Sequence, residues 1–192
     1  ISFLKDLRAT YERKPFLLYV APGACHAPHQ APASFIEPYR GRFDAGWDRW
    51  REQVFARQIS SGLLPKGTEL SSDERRLFAR MMEVYAGFMT HTDAQIGRLV
   101  DFIEKLGELD DSLLILMSDN GASAEGGLKG SFNEAFFFNM VPESLEENLR
   151  RIDDLGTPRA NNYYPWGWAW AGNTPLKRFK RDTHEGGVCD PF

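Results

Sequence analysis

The feature that most constrains this chain is an apolar stripe of unusual length. Leu77, Phe78, Met81, Met82, Tyr85, Phe88, Met89, Ile96, Leu99, Val100, Ile103 and Leu106 recur at the period of one amphipathic helix. Ser71, with Glu74 three positions later, fits a capping box at its start, and Gly107 suits its stop. Unbroken from Ser72 to Leu106, the helix would be about 50 Å long at roughly 1.5 Å per residue, with Gly87 and Gly97 as places where it could kink or break. On either side of the stripe lies a short, uninterrupted apolar run, Phe16-Leu17-Leu18-Tyr19-Val20 and Leu113-Leu114-Ile115-Leu116-Met117. Each reads as a strand buried on both faces. A helix between two such strands predicts an α/β layered sheet.

The remaining segments fit around that frame. Phe3, Leu4 and Leu7 predict a helix end within residues 2–12, and Trp47, Trp50, Val54 and Phe55 predict another over Gly46–Ser60. Ala21–Pro38 and Leu63–Leu70 read as loops. Glu143, Glu146 and Glu147 ahead of Arg150 and Arg151 suit an exposed helix with paired charges. The aromatic run Tyr163–Trp170 reads as a packed corner. With 192 residues, 42% hydrophobic and 26% charged, the chain has ordinary globular composition and the size of one domain or a large piece of one. No apolar run approaches the ~20 residues of a membrane span. A net charge of −4 gives no electrostatic reason to expect nucleic acid as a partner. Two cysteines, Cys25 and Cys189, allow at most one bridge and leave the redox compartment, and with it the cellular address, undecided. The chain begins at Ile1 and stops shortly after a Gly186-Gly187 turn, which reads as an internal fragment.

Three clusters could carry chemistry. Ser118-Asp119-Asn120-Gly121 falls where the second strand should end, and strand ends are where open α/β sheets bind ligands. Asp119 and Asn120 offer two hard oxygens of the kind Ca²⁺ or Mg²⁺ accepts, although Asn-Gly is also a common turn. His26, in Cys25-His26-Ala27-Pro28-His29, lies in the loop after the first strand, placed for proton transfer or for a hydrogen bond to an anion. Cys25, His26 and His29 also suggest zinc weakly, because no second ligand pair follows. His91 falls inside the long helix and reads as a surface or packing residue. The third cluster runs from Asn173 to Gly187, where Lys177, Arg178, Lys180 and Arg181 lead into Glu185-Gly186-Gly187. A lysine beside a tetrahedral anion is worth about 4 kcal/mol at roughly 4 Å and an effective dielectric near 20.

The order of these elements resembles the sulfatase family, in particular the arylsulfatase branch of the alkaline-phosphatase-like superfamily. The stretches that carry the likeness are Lys14–Tyr19 with Ala21–His29, Asp93–Leu99, Ser118–Ser123 and Gly172–Gly187. The resemblance implies an alkaline-phosphatase-like layered sheet flanked by helices, incomplete in this chain. It implies that residues 1–192 are the central part of a sulfatase catalytic domain, with a subfamily insertion at about 122–172. It also implies a calcium-dependent sulfuric ester hydrolase whose formylglycine nucleophile lies outside these residues. Asp119 and Asn120 match the family's metal-binding pair, with Ca²⁺ expected and Mg²⁺ an alternative. His26 matches the histidine near the leaving oxygen, and Lys180, five residues before Glu185, matches the lysine that binds the sulfate. Thr183, Glu185, Gly186 and Gly187 match its support.

The departures are also specific. No Asp-Asp pair and no nucleophile motif precede His26, and Cys189 stands where the family usually has an arginine. Partners implied are a small-molecule sulfate ester and the remainder of a parent polypeptide. The 192 residues alone are expected not to turn over substrate and to leave sheet edges unpaired. The alternatives are a phosphonate monoester hydrolase or phosphodiesterase of the same superfamily, and a non-catalytic homologue that kept the scaffold. Neither the natural ester nor the oligomeric state is legible. Trp166, Trp168 and Trp170 are candidates for a pocket wall within the insertion.

Overall fold

The computed structural model describes residues 1–11, 14–47, 49 and 70–189. The expected helix over Gly46–Ser60 and the loop Leu63–Leu70 lie almost wholly outside the described residues. The organising element is the long helix, Ser72–Lys105, here α3 after α1 (Ser2–Thr10) and α2 (Ala33–Ile36). Its capping box forms in full: the Ser71 hydroxyl accepts from the Glu74 amide, and the Glu74 carboxylate accepts from the Ser71 amide at 3.1 Å. Gly87 and Gly97 leave the helix continuous over its 34 residues. It stops where Gly107 takes φ of +72°, with the Glu108 amide on the Ile103 carbonyl and the Gly107 amide on that of Glu104. This paired return bond is the ending a glycine at that position permits.

Burial is uneven along the stripe. Leu77, Phe78, Met81, Val84 and Gly87 in the first half are buried, whereas in the second half Ile103 alone is fully buried. The first half meets most of the core. Gly87 lies under α2 so closely that a Cβ there would stand 2.7 Å from Ile36 Cα. The Arg80 guanidinium, itself buried, pairs with Glu83 at 2.9 Å, and the other Glu83 oxygen accepts from the Gly41 amide. α4 (Glu134–Phe138), α5 (Leu145–Arg150), α6 (Trp166–Asn173) and α7 (Glu185–Val188) are short. α5 is capped by Ser144 and carries the expected Arg150 pairs with Glu146 and Glu147. The aromatic run is indeed a packed corner. Tyr163, Tyr164 and Trp168 are buried, and the Trp168 indole donates to the Phe78 carbonyl of α3 at 3.0 Å. Trp168 is built into that corner, whereas Trp166 is 38% exposed. A cavity of about 510 Å³ is lined by residues such as Phe132, Glu143, Arg151 and Arg159.

The layered sheet is the main difference from expectation. Among the described residues no strand ladder forms; the sole pairings are isolated bridges, Ser131 with Tyr163 and Asn133 with Asn161. Residues 16–20 and 113–117 are without helix or ladder, and their apolar side chains are largely exposed, Leu17 at 96% and Leu113 at 85%. A strand buried on both faces needs neighbours to take its amides and carbonyls. The described residues supply none, so both runs stand uncovered.

Candidate functional site

The site is assembled by close backbone packing between two segments. Ser118 closes a turn onto the Asn120 carbonyl at 2.8 Å, leaving Asp119 exposed and Asn120 half-buried. Gly121 follows, pressed against the 186–187 backbone: its amide donates to the Gly187 carbonyl at 3.4 Å, and a Cβ there would stand 1.8 Å from the Gly186 oxygen. Only glycine fits. The Ala122 amide donates to Asn173 Oδ1 at 2.9 Å, and its carbonyl accepts from the Lys180 amide at 3.0 Å. The second segment is bound in turn, since the Gly186 amide donates to the Lys177 carbonyl and a Cβ on Gly187 would stand 2.1 Å from the Asp182 oxygen. Glu185-Gly186-Gly187 is therefore the support that lets the Asp-Asn-Gly turn and the lysine segment lie side by side.

Lys180 sits between Arg178 and Arg181, which take φ of +68° and +85°. Two left-handed non-glycine residues around one lysine are strain held by the surrounding packing, a pattern that clusters at functional sites. The Lys180 ammonium stands 3.4 Å from Glu125 Oε2. The His26 Nε2 stands 3.4 Å from the same oxygen, while its Nδ1 meets the Ala27 carbonyl at 2.8 Å. His26 and Lys180 thus converge on one carboxylate. Burial pushes the Glu125 carboxyl up, but the Ser123 hydroxyl, Lys180 and His26 together hold it below the usual range. Glu134 is shifted the other way, raised by burial and then by Glu125, against the pull of His26 and Lys180.

Ligand atoms of His26, Glu125 and Glu134 lie within 4.8 Å of one another. The Lys180 ammonium stands at one of those carboxylates, so the group is an acid–base network in which a cation is already present. Cys25, His26 and His29 do not gather as a zinc site among the described residues. His29 is fully buried against the rings of Tyr85, Phe88, Tyr163 and Tyr164, and its pKa falls to about 3, through burial first and the charge of His26 second. His91 packs on Phe35, as a packing residue should. Cys25 and Cys189 are free thiols.

Sequence reasoning missed Glu125 and Glu134. A signal for Glu125 was present: Glu125-Gly126-Gly127 repeats the Glu-Gly-Gly of the lysine segment. Its glycine serves a similar purpose, because a Cβ on Gly126 would stand 2.4 Å from the Tyr164 oxygen. Asp119 and Asn120 supply one carboxylate and one amide oxygen, two of the six to eight hard donors that Ca²⁺ takes. In donor type they fit such an ion.

Comparison with known proteins matches residues 2–192 to the family model described as Sulfatase. An uncharacterized sulfatase of Schizosaccharomyces pombe is 32% identical, over 99% of this chain and 36% of its own length. An arylsulfatase of Klebsiella aerogenes is 26% identical, over 97% of this chain and 41% of its own. An N-acetylglucosamine-6-O-sulfatase of Bacteroides thetaiotaomicron is 32% identical over 47% of this chain and 16% of its own. The chain therefore spans well under half the length of these relatives.

Proposed function

The chain belongs to the sulfatase family, and on that footing we propose that it is the central part of a calcium-dependent sulfuric ester hydrolase of arylsulfatase type. The observation that supports this reading best is the convergence of His26 and Lys180 on one carboxylate oxygen, 3.4 Å from each. Two nitrogen donors aimed at one oxygen are the arrangement that an oxyanion needs. In the substrate complex a sulfate oxygen meets the same two donors. Lys180 pairs with the charge on the ester, and His26 donates from Nε2 to the leaving oxygen, which gains negative charge as the S–O bond breaks. Proton donation of this kind contributes typically ~10²–10⁴ in rate.

Asp119 and Asn120 are the residues that would hold the calcium ion, on a turn braced by the Gly121–Gly187 contact. The bound ion supplies positive charge that polarises the sulfate oxygens. The formylglycine nucleophile belongs to a part of the parent polypeptide outside these residues, and the alkaline-phosphatase-like sheet is completed there as well. Residues 122–172 are the subfamily insertion, and Glu125 and Glu134, which gather with His26, lie on it. The test is to compare hydrolysis of 4-nitrophenyl sulfate, 4-nitrophenyl phosphate and a phosphonate monoester by the full-length protein. Faster turnover of the sulfate is expected. Preference for either phosphorus ester would move the chain to the neighbouring phosphohydrolase branch, and no turnover of any ester would favour a non-catalytic scaffold.

A further inference from the structure

Glu125 lies beneath both side chains that the proposed chemistry uses. Its Oε2 accepts from the Ser123 hydroxyl at 2.9 Å and stands 3.4 Å from both Lys180 Nζ and His26 Nε2, and its side chain is only 12% exposed. The segment carrying it is fastened at several points. Ala122 bonds to Asn173 and to the Lys180 backbone, and the Ala124 carbonyl accepts from the Trp166 indole. His26, by contrast, is a half-exposed loop residue, held at its backbone by a turn to Gly23 and at its ring by the Ala27 carbonyl.

That carbonyl fixes the chemistry of the ring. A carbonyl oxygen only accepts, so Nδ1 donates to it. Nε2 then faces Glu125 Oε2 at 3.4 Å.

We propose that Glu125 is the positioning residue of this site: it aims His26 Nε2 and the Lys180 ammonium at one point. The inference rests on the reading of His26 and Lys180 as the groups that face the ester. When the ester enters, its oxygen meets the same two donors, with Glu125 still behind them. As the nucleophile supplied by the rest of the polypeptide bonds to sulfur, the ester S–O bond breaks, its electron pair stays on the leaving oxygen and the Nε2 proton moves to it. The imidazole is left neutral, with Nδ1–H still on Ala27. The charged and titratable groups around His26 are Glu125, Glu134, Lys180, the buried His29 and Tyr163, whose ring meets the imidazole edge-on. Glu125 is the one that also contacts Lys180 directly.

The experiment is a pH–rate series on the full-length protein with 4-nitrophenyl sulfate, for wild type, Glu125→Gln, Glu125→Asp, Ser123→Ala and His26→Ala. Glu125→Gln should lower kcat about 10-fold or more with KM changed less than about 3-fold. Glu125→Asp, which keeps the charge, should recover part of that loss. Ser123→Ala, which frees the carboxylate without removing it, should lower kcat by less; these two carry the test if Glu125→Gln does not fold. A wild-type kcat in Glu125→Gln, alongside a damaged His26→Ala, would overturn the role of Glu125 alone. Wild-type turnover in His26→Ala would overturn both this inference and the reading beneath it.

Discussion

Lys180 and Glu125, 55 residues apart in the chain, meet at 3.4 Å through an ammonium and a carboxylate oxygen. His26 meets the same oxygen, so removing either side chain disturbs the other. His26→Ala and Lys180→Ala are each expected to cut kcat/KM of the full-length protein by roughly 10²-fold or more on 4-nitrophenyl sulfate. Groups that act as a unit are not additive. The double variant should therefore lose clearly less than the product of the two single losses. Losses that multiply would show two independent side chains and count against a shared site.

Asp119 is exposed on a turn whose next residue is locked to Gly187. An ion bound there stabilises the fold by mass action, about 2.7 kcal/mol at roughly 100 times its dissociation constant. Dialysis against a chelator should lower the thermal midpoint of the full-length protein and abolish turnover, and added Ca²⁺ should restore both. Asp119→Asn should flatten the dependence of the midpoint on calcium. A variant that responds to calcium like wild type would remove Asp119 from the metal shell.

What was legible in the sequence was local. The Ser71–Glu74 box, the stripe of α3 and the Gly107 stop each depend on residues within one or two turns of one another, so a linear reading finds them. The two apolar runs read as buried strands, but pairing belongs to two segments at once, and the run alone does not contain its neighbour. The same reason hid Glu134, a single acid without a spacing partner, which reaches His26 because the Glu134 amide is tied to the Asn161 carbonyl. The gathering of His26 and Lys180 was readable only through family likeness. Nothing in the spacing of residues so far apart predicts that they meet.

His29 makes stability depend on pH. Its pKa falls from 6.5 to about 3 on folding, because burial among four aromatic rings, and then the charge of His26, disfavour the cation. Between these values the unfolded chain binds a proton that the native chain does not, so stability is intact above about pH 6.5 and is lost as pH falls toward 3. At roughly 1.36 kcal/mol per unit, this amounts to about 5 kcal/mol over the whole window. Urea unfolding of the full-length protein should show the decline, and His29→Leu should remove most of it, since Leu fills a similar space without titrating. An equally steep decline in His29→Leu would assign the acid sensitivity to other groups.

Gly87 sets two effects against each other. Replacing a mid-helix glycine by alanine ordinarily stabilises a helix by about 1 kcal/mol. Here the new methyl would stand 2.7 Å from Ile36 Cα, 2.8 Å from its Cγ1 and 2.9 Å from the Phe35 oxygen. Two of these three atoms are backbone, so relief requires α2 to move away from α3 and costs typically about 1–3 kcal/mol. Gly87→Ala is therefore expected to be destabilising on balance, by about 1–2 kcal/mol. Gly97→Ala, on the same helix with nothing within 4 Å of the new methyl, should be neutral or stabilising. Urea midpoints for the pair test the packing directly, because both substitutions share the same helical gain. A stabilised Gly87→Ala would mean that α2 does not rest on α3 at this point.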